Sequence, residues 1–339
     1  MQGQTLEPTS EPAPARPRRL RPGRLAAILL GVAIGAAVIA ISHPDKIWAS
    51  LQQADLTLVV AALALNLPVI WLRALRAQLM VRQLGYRVPM RSMAPIQLVG
   101  QTSSTITPAA SGDYVRAYLW RSSNGVPVRV GAAVVTFERL YSLFLMIALS
   151  LLLILFPRHG VIGWILVALG LGVATFAPLL FELMPTSLEQ WVLAKLGKRR
   201  IMGRFQEGAT VMIDQVRKLM KAPLLLAWTS GLTLVNFIAM GAQLWLVMLS
   251  LAHRVPITQA VAANSTSQVA GIISTLPFGI GSQDAILVTV FAGYGVTVSL
   301  AASAAVLMRA TTTIPLALAG LAAYLMVDKP AVRPAMEVE

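Results

Sequence analysis

The sequence predicts an all-α integral membrane protein with about six full transmembrane helices and two broken, re-entrant hairpins. Three observations carry that prediction. Of 339 residues, 56% are hydrophobic and only 12% charged, about half the charge fraction of soluble domains, and mean hydropathy is +0.70. Apolar runs of membrane-spanning length recur along the chain, and its basic residues collect between alternate runs.

The formal charge of +14 raises the question of a polyanionic partner. Nucleic-acid binders set basic residues on a soluble fold with interleaved aromatics. Here long apolar runs separate the charges, so the expected partner is the membrane and not nucleic acid. The chain has no cysteine, which excludes disulfides, thiolate nucleophiles and Cys-ligated metal.

Residues 1–23, rich in Pro and Arg and without apolar periodicity, read as a disordered basic cytoplasmic tail. The apolar run at 24–42 exceeds the roughly 7–15 residues of a signal-peptide core and reads as an uncleaved first span. Further runs near 56–72, 130–156, 161–181, 223–250 and 300–327 are each long enough for about 30 Å of hydrocarbon. Residues 24–327 thus form one polytopic domain, followed by a short cytoplasmic tail at 328–339. Two apolar stretches are interrupted: 92–128 by Pro95, Pro108 and Gly112, and 257–297 by Pro277, Gly279, Gly281 and Gly295. Broken backbone at membrane depth is tolerated only inside protein or along a cavity, so both are expected to be re-entrant.

Charge sets the topology. With the N-terminal tail inside, Arg73, Arg76, Arg82, Arg87 and Arg91 fall in a cytoplasmic 73–91 loop, and Arg116, Arg121 and Arg129 lie near the same face. Lys46, Arg158 and Arg254 are left outside and Arg139 and Arg309 within spans, while every other Lys and Arg is cytoplasmic, as the positive-inside rule requires. Both termini are then cytoplasmic, in the plasma membrane. The first broken segment enters from the cytoplasm and the second from the opposite face, the geometry of an inverted repeat. Gln101, Pro108, Asp113 and Arg139 run parallel to Gln268, Pro277, Asp284 and Arg309, with acid-to-Arg spacings of 26 and 25 residues. Transporters built on inverted repeats place the substrate at the repeat interface, between discontinuous helices.

Of the 14 acids, Asp113, Glu138 and Asp284 are those in membrane segments; Arg116, Arg139 and Arg309 are the matching bases. A charge at bilayer depth costs about 2.5–3.5 kcal/mol on insertion scales, so it is paired, hydrated or useful. Glu138 and Arg139 are adjacent and point about 100° apart on a helix, so each needs a partner from elsewhere. Asp113 and Arg116, three apart, can pair locally. Across the repeat interface, Glu138 or Asp113 is expected to meet Arg309, and Asp284 to meet Arg139. Gln101 and Gln268, with the hydroxyls beside them, either satisfy freed backbone groups or line a cavity. In the second case N–H donors at helix starts near Gly112 and Ser282 join Arg139 and Arg309 in binding an anionic headgroup.

His43, His159 and His253 lack a helical His-x3-His pair or acid cluster, so no metal or other cofactor is expected. No Gly-rich phosphate loop or Gly-x-Ser-x-Gly elbow occurs, and the chain is not expected to be an enzyme. In 188–222, Ile201, Phe205, Met212, Val216 and Leu219 recur at helical spacing opposite Arg204, Arg217 and Lys218. This segment reads as a cytoplasmic amphipathic helix. Its basic face, with Lys195, Lys198, Arg199, Arg200 and Arg204, either contacts anionic lipid or is a solvated connector.

The run Thr107-Pro108-Ala-Ala-Ser111-Gly112-Asp113-x-x-Arg116, then Phe137-Glu138-Arg139-Leu140, Leu276-Pro277-Phe-Gly279-Ile-Gly281-x-x-Asp284 and Leu307-Met308-Arg309 resembles the transmembrane-region family of lysylphosphatidylglycerol synthases. The resemblance covers the chain after residue 24 and implies a flippase-like membrane protein; in full-length synthases this region moves the aminoacylated lipid between leaflets. It makes Asp113, Arg116, Glu138, Arg139, Asp284 and Arg309 the site candidates. The family's usual Gly-Gly-Asp and Pro-Gly-Gly-x-Gly-x-x-Glu read Ser111-Gly112-Asp113 and Pro277-Phe278-Gly279-Ile280-Gly281-Ser282-Gln283-Asp284 here, so the resemblance speaks for the fold more than for the substrate. Only 12 residues follow Val327, so no aminoacyl-transferring domain is expected in this sequence.

The expected function is translocation of a lipid or lipid-linked molecule through a polar cavity between broken helices. Its expected partners are membrane lipids, anionic on the cytoplasmic face, and lipid-biosynthesis enzymes. The alternatives are an intramembrane enzyme acting on a lipid headgroup, with Asp113 and Glu138 as its acids, and a non-transporting scaffold of a lipid or envelope biosynthesis complex.

Overall fold

The computed structural model describes residues 44–155, 160–180, 203–274, 276, 279 and 281–326. The two tails, the expected span at 24–42, Pro277, Lys195, Lys198, Arg199 and Arg200 lie outside these residues. Among the described residues the secondary structure is helical throughout. In chain order the α-helices are α1 (Pro44–Gln52), α2 (Leu56–Ala64), α3 (Asn66–Gln83), α4 (Met90–Ile106), α5 (Val115–Asn124), α6 (Val128–Leu155), α7 (Gly160–Leu180), α8 (Gly203–Met220), α9 (Pro223–Ser250), α10 (Ile257–Ile273), α11 (Ser282–Gly293), α12 (Val298–Met308) and α13 (Ile314–Met326). A 3-10 segment, Pro108–Tyr114, joins α4 to α5, and a π-turn, Arg309–Thr313, joins α12 to α13.

Among the described residues, five stretches are long and apolar enough to cross a membrane: Leu56–Gln83, Val128–Leu155, Gly160–Leu179, Pro223–Ser250 and Val298–Met326. They correspond to five of the six runs read from sequence. Their outward faces are apolar: Leu56, Val60, Leu63, Leu67 and Trp71 are exposed at helical spacing along α2 and α3, as are Leu318, Leu321 and Leu325 on α13. Such a continuous apolar exterior is matched to hydrocarbon, not water. The chain is a multi-pass integral membrane protein.

One boundary departs from the sequence reading. The span beginning at residue 56 does not end at 72 but continues through α3 to Gln83. Arg73 and Arg76 are therefore not loop charges; they lie within the span. The kink at Leu65 has a local cause. Pro68 has no N–H to bond the Ala64 carbonyl and its ring crowds that turn. Side-chain amides satisfy neighbouring carbonyls: Asn66 Nδ2 donates to Leu63 O (2.9 Å) and Thr311 O (2.7 Å), and Gln243 Nε2 donates to Ala62 O (3.1 Å).

Both interrupted stretches are helix–break–helix. Thr107 precedes Pro108 and is extended (φ −98°, ψ 144°), as a residue before proline prefers, so α4 stops there. In the second break Gly279 (φ +57°) and Gly281 (φ +83°) adopt left-handed conformations that a side chain would strain. Beyond the breaks the two halves pack reciprocally: α6 lies against α10, the first arm of the second break, and α13 against α4, the first arm of the first. The α13–α4 crossing is tight: a Cβ on Gly320 would stand 1.9 Å from Thr102 Oγ1 and 2.7 Å from Leu98 O.

Two apolar clusters hold the bundle. One gathers Met80, Met93, Trp120, Phe137 and Leu219 around α3, α4, α5, α6 and α8. The other gathers Leu244, Phe291 and a group of alanines around α1, α9, α10, α11 and α12. Helix α8 packs on α6, burying Leu219 and partly burying Val216 while Arg217 and Lys218 stay exposed, the amphipathic arrangement read from its spacing. The Arg204 side chain lies outside the described residues.

Candidate functional site: a charged cavity between the two breaks

Between the apolar clusters lies a cavity of about 290 Å³ lined from both halves of the chain, by Gln97, Gln101, Asp113, Glu138 and Arg139 on one side and Asn264, Gln268, Gly279, Asp284 and Arg309 on the other. Arg73 and Arg76 of α3 and Asn236 of α9 complete its polar wall.

The 3-10 segment sets Asp113 one turn before Arg116, whose Nη2 donates to Asp113 Oδ2 at 2.6 Å. Arg139 Nε donates to the same oxygen at 2.7 Å. Arg116 Nη1 donates to Glu138 Oε2 at 2.9 Å and to Gln97 Oε1 at 2.6 Å, and Arg76 Nη2 pairs with Glu138 Oε1. Arg76 Nη1 is further held by Ser142 Oγ (2.9 Å) and Thr233 Oγ1 (2.8 Å). Asp113, Arg116, Glu138 and Arg76 are all buried, at 7% exposure or less. They form one dry network in which each carboxylate serves two guanidinium groups. Arg116 stands behind the cavity wall, stacked over Trp120 (5.6 Å to the ring centroid). Gly100 makes room for its stem, since a Cβ there would stand 2.5 Å from Arg116 Cγ and Cδ.

In the second half, Arg309 forks onto Asp284, Nε to Oδ1 at 2.9 Å and Nη2 to Oδ2 at 2.7 Å. Asp284 Oδ2 also accepts from Gly281 N at 3.1 Å, anchoring the pair to the break. This pair is wetter, with side chains 24% and 17% exposed.

These contacts correct the pairing expected across the repeat interface. Arg139 pairs with Asp113, not Asp284, and Arg309 with Asp284, not with Glu138 or Asp113. The reason is local packing: the 3-10 segment lies against α6, which carries Arg139, and α11 lies against α12, at whose end Arg309 sits, so each acid meets an arginine of its own half. The acid and base of each pair are 26 and 25 residues apart, the same contact made twice. Glu138 and Arg139, adjacent in sequence, do take partners from elsewhere.

The helix-start donors are a second correction. Gly112 N donates to Thr107 Oγ1 at 2.6 Å and Gly281 N to Asp284, so both donors have protein acceptors. Gly112 and Gly281 are buried at the breaks, and neither lines the cavity. The break hydroxyls act on backbone: Ser104 and Thr105 both donate to Gln101 O (2.8 and 2.7 Å), and Thr107 to Ser103 O (2.8 Å). Gln101 Oε1 accepts from Arg73, and Gln268 Nε2 lies 3.9 Å from Met240 Sδ. Pro108 opens the 3-10 segment.

The sequence reading missed Arg73, Arg76, Gln97 and Asn236. Two stripes signal them. Asn66, Arg73 and Arg76 share one face of α3 opposite exposed Leu67 and Trp71, and Thr229, Thr233, Asn236, Met240 and Gln243 recur every three or four residues on α9, a polar seam turned inward.

Residues 28–320 match the family model described as the lysylphosphatidylglycerol synthase transmembrane region. The chain belongs to this family. Among the relatives of this lysylphosphatidylglycerol synthase transmembrane-region protein, a UPF0104 membrane protein of Methanothermobacter thermautotrophicus is 24% identical over 304 residues, covering 83% of this chain and 89% of the relative. A UPF0104 membrane protein of Methanocaldococcus jannaschii is 20% identical over 314 residues, 86% and 91% of the two chains. Glycosyltransferase AglD of Haloferax volcanii is 31% identical over 137 residues, 40% of this chain and 22% of that protein.

For this family member the Asp284–Arg309 fork yields a direct prediction. Asp284→Arg alone sets two guanidinium groups face to face and is expected to lower the melting temperature in detergent. Adding Arg309→Asp is expected to recover part of the loss, and not all, because an arginine at 284 cannot accept from Gly281 N. Recovery instead from Arg139→Asp, followed by the same melting measurement, would contradict the within-half pairing.

Proposed function

We propose that the chain translocates a lipid or lipid-linked molecule across the cytoplasmic membrane, flippase-like, with the headgroup passing through the charged cavity while its tails stay in hydrocarbon. The observation that carries this reading is one polar cavity lined by both helix breaks inside an apolar-faced bundle. A headgroup entering it exchanges water for fixed charges and amides instead of meeting lipid tails. Its volume of about 290 Å³ is at the lower end for small-molecule sites, roughly 300–1,000 Å³, the size of a headgroup and not of a whole lipid. The equal acid-to-Arg contacts and the reciprocal packing of α6 and α13 support reading the two halves as an inverted repeat with re-entrant arms.

Asp113, Arg116, Glu138, Arg139, Asp284 and Arg309 form the working core, with Gln101 and Gln268 on the wall and Pro108, Gly112, Gly279 and Gly281 shaping the breaks. Asp113 and Glu138 each hold two arginines, an arrangement suited to a fixed charged wall more than to general acid–base catalysis, which supports a carrier over an enzyme. The family description, naming a lipid synthase region, points the same way. In the proposed orientation the ends bearing Arg82, Arg87, Arg91, Arg121 and Arg129 face the cytoplasm with both termini. There α8 and the basic residues Lys195, Lys198, Arg199, Arg200 and Arg204 meet anionic lipid, at about 1 kcal/mol per residue. Enzymes that synthesise the cargo are the partners that fit this role.

Reconstitution tests the reading. Proteoliposomes carrying fluorescent phospholipids or polyprenyl-phosphate glycolipids are expected to show headgroup movement between leaflets for at least one class, above protein-free vesicles. Folded protein that moves none of them would refute it.

A further inference from the structure

We propose that Arg73 is the centre of an anion-binding site in this cavity, taking a phosphate-class oxyanion. The proposal deepens the translocation reading by naming the charge of its cargo. Among the described residues, five arginines line or back the cavity. Arg76, Arg116, Arg139 and Arg309 each hold a carboxylate within ion-pair distance. Arg73 does not. Its Nη1 donates to Gln101 Oε1, its Nε to Asn236 Oδ1 at 3.3 Å, and its Nη2 lies 3.1 Å from Met240 Sδ. All three acceptors are neutral. They position the guanidinium without cancelling its charge.

The charge balance agrees. Asp113, Glu138 and Asp284 face five arginines, so two positive charges are in excess at membrane depth, where an uncompensated charge is costly and marks a functional site. Of the residues the sequence pointed to as the fixed positive charge, Arg309 is neutralised by Asp284, and Arg139 is paired with Asp113, which it shares with Arg116; one excess charge is spread over that network, and the other is Arg73, which has no carboxylate. Arg73 replaces them in that role.

A second observation points to a ligand. Asn264, 4% exposed and part of the same lining, has an Nδ2 without a hydrogen-bond partner. Gln268 Nε2 has only a thioether at 3.9 Å. Buried donors are normally satisfied, and both belong to α10, in the half of the chain opposite Arg73. An oxyanion between the halves supplies what both lack, several acceptor lone pairs and negative charge. A phosphoryl group fits best, because its oxygens point in more than one direction and accept charge-assisted bonds from guanidinium and amide donors together. Phosphodiester headgroups and free phosphate share this chemistry.

The test measures binding to purified full-length protein in two arms: inorganic phosphate by equilibrium dialysis, and phosphatidylglycerol against phosphatidylcholine by native mass spectrometry. Two variants remove the free charge by opposite routes. Arg73→Gln deletes it, and Gln101→Glu neutralises it in place while adding an ion pair, so a folding defect in one does not silence the test. Each is expected to weaken binding of at least one probe by about 10-fold or more, the scale of one charge-assisted hydrogen bond. Arg73→Lys is expected to retain most of the binding, and Arg129→Gln, which removes an exposed charge outside the cavity, all of it. An effect in the lipid arm assigns the site to a headgroup, and one confined to the phosphate arm assigns it to a soluble anion. Wild-type protein that binds neither probe, or folded variants that bind as well as wild type, overturns the proposal. The translocation reading fails separately: variant-sensitive binding without lipid movement leaves the anion site and removes the flippase, and movement undiminished in Arg73→Gln does the reverse.

Discussion

Replacing Glu138 with Ala is expected to cost the protein most or all of its folded population. The carboxylate holds Arg76 and Arg116 at once, and all three are buried. Removing it leaves Arg76 with no carboxylate and only two hydroxyl acceptors, and Arg116 with Asp113 as its one remaining acid. Breaking one buried pair costs about 3–5 kcal/mol, a large part of the 5–15 kcal/mol that typically holds a domain together. Glu138→Gln keeps the shape and one acceptor oxygen, while its Nε2 faces a guanidinium donor, so its loss is expected to be smaller and in the same direction. Fluorescence-detected gel filtration after a temperature ramp reads both. A Glu138→Ala protein that melts with the wild type would mean the network does not hold the fold.

The second large effect is expected from one methyl group. A Cβ on Gly112 would stand 2.2 Å from Ser103 O and 2.4 Å from Ser103 C. Both are backbone atoms of α4, so no rotamer change relieves the clash, and the 3-10 segment has to move. Asp113 is the next residue and moves with it, away from Arg139 and Arg116. Overpacking alone costs about 1–3 kcal/mol, and here the displaced carboxylate adds to it. Gly112→Ala is therefore expected to abolish translocation and lower the melting temperature. Gly172 on α7 is the control: a Cβ there meets nothing within 4 Å, so Gly172→Ala is expected to be neutral or stabilising by up to about 1 kcal/mol through helix propensity. Equal effects from the two would show that crowding at the break is not the cause.

The fold class was legible because hydrocarbon imposes length and apolarity on each span, and both are linear properties of a sequence. The breaks were legible for a related reason, since Pro108, Gly112, Gly279 and Gly281 are residues a continuous helix disfavours. Arg73 and Arg76 were not. They follow a run that already satisfies the length of a span, and a basic residue at that place reads as a flank. Only the kink at Leu65, which begins a second helix inside the same span, carries them inward. The pairings were misjudged because an inverted repeat suggests contacts across its axis, whereas Asp113 and Asp284 each sit at a break that packs against a later element of the same half, α6 with Arg139 and the end of α12 with Arg309. Gly100 escaped notice for a simpler reason: its role is to be absent beside the Arg116 stem, and no spacing rule marks an empty volume.

The apolar clusters on either side of the cavity differ in grain. One interlocks Trp120, Phe137, Tyr141, Met80 and Met93; the other is crowded with Ala260, Ala263, Ala301, Ala302, Ala304 and Ala305. Dispersion contacts scale with the atoms that touch, and large interdigitated side chains resist sliding, whereas small ones let helices shear past each other with little lost. The alanine-rich cluster is therefore expected to let its helices slide with less lost contact than the aromatic one.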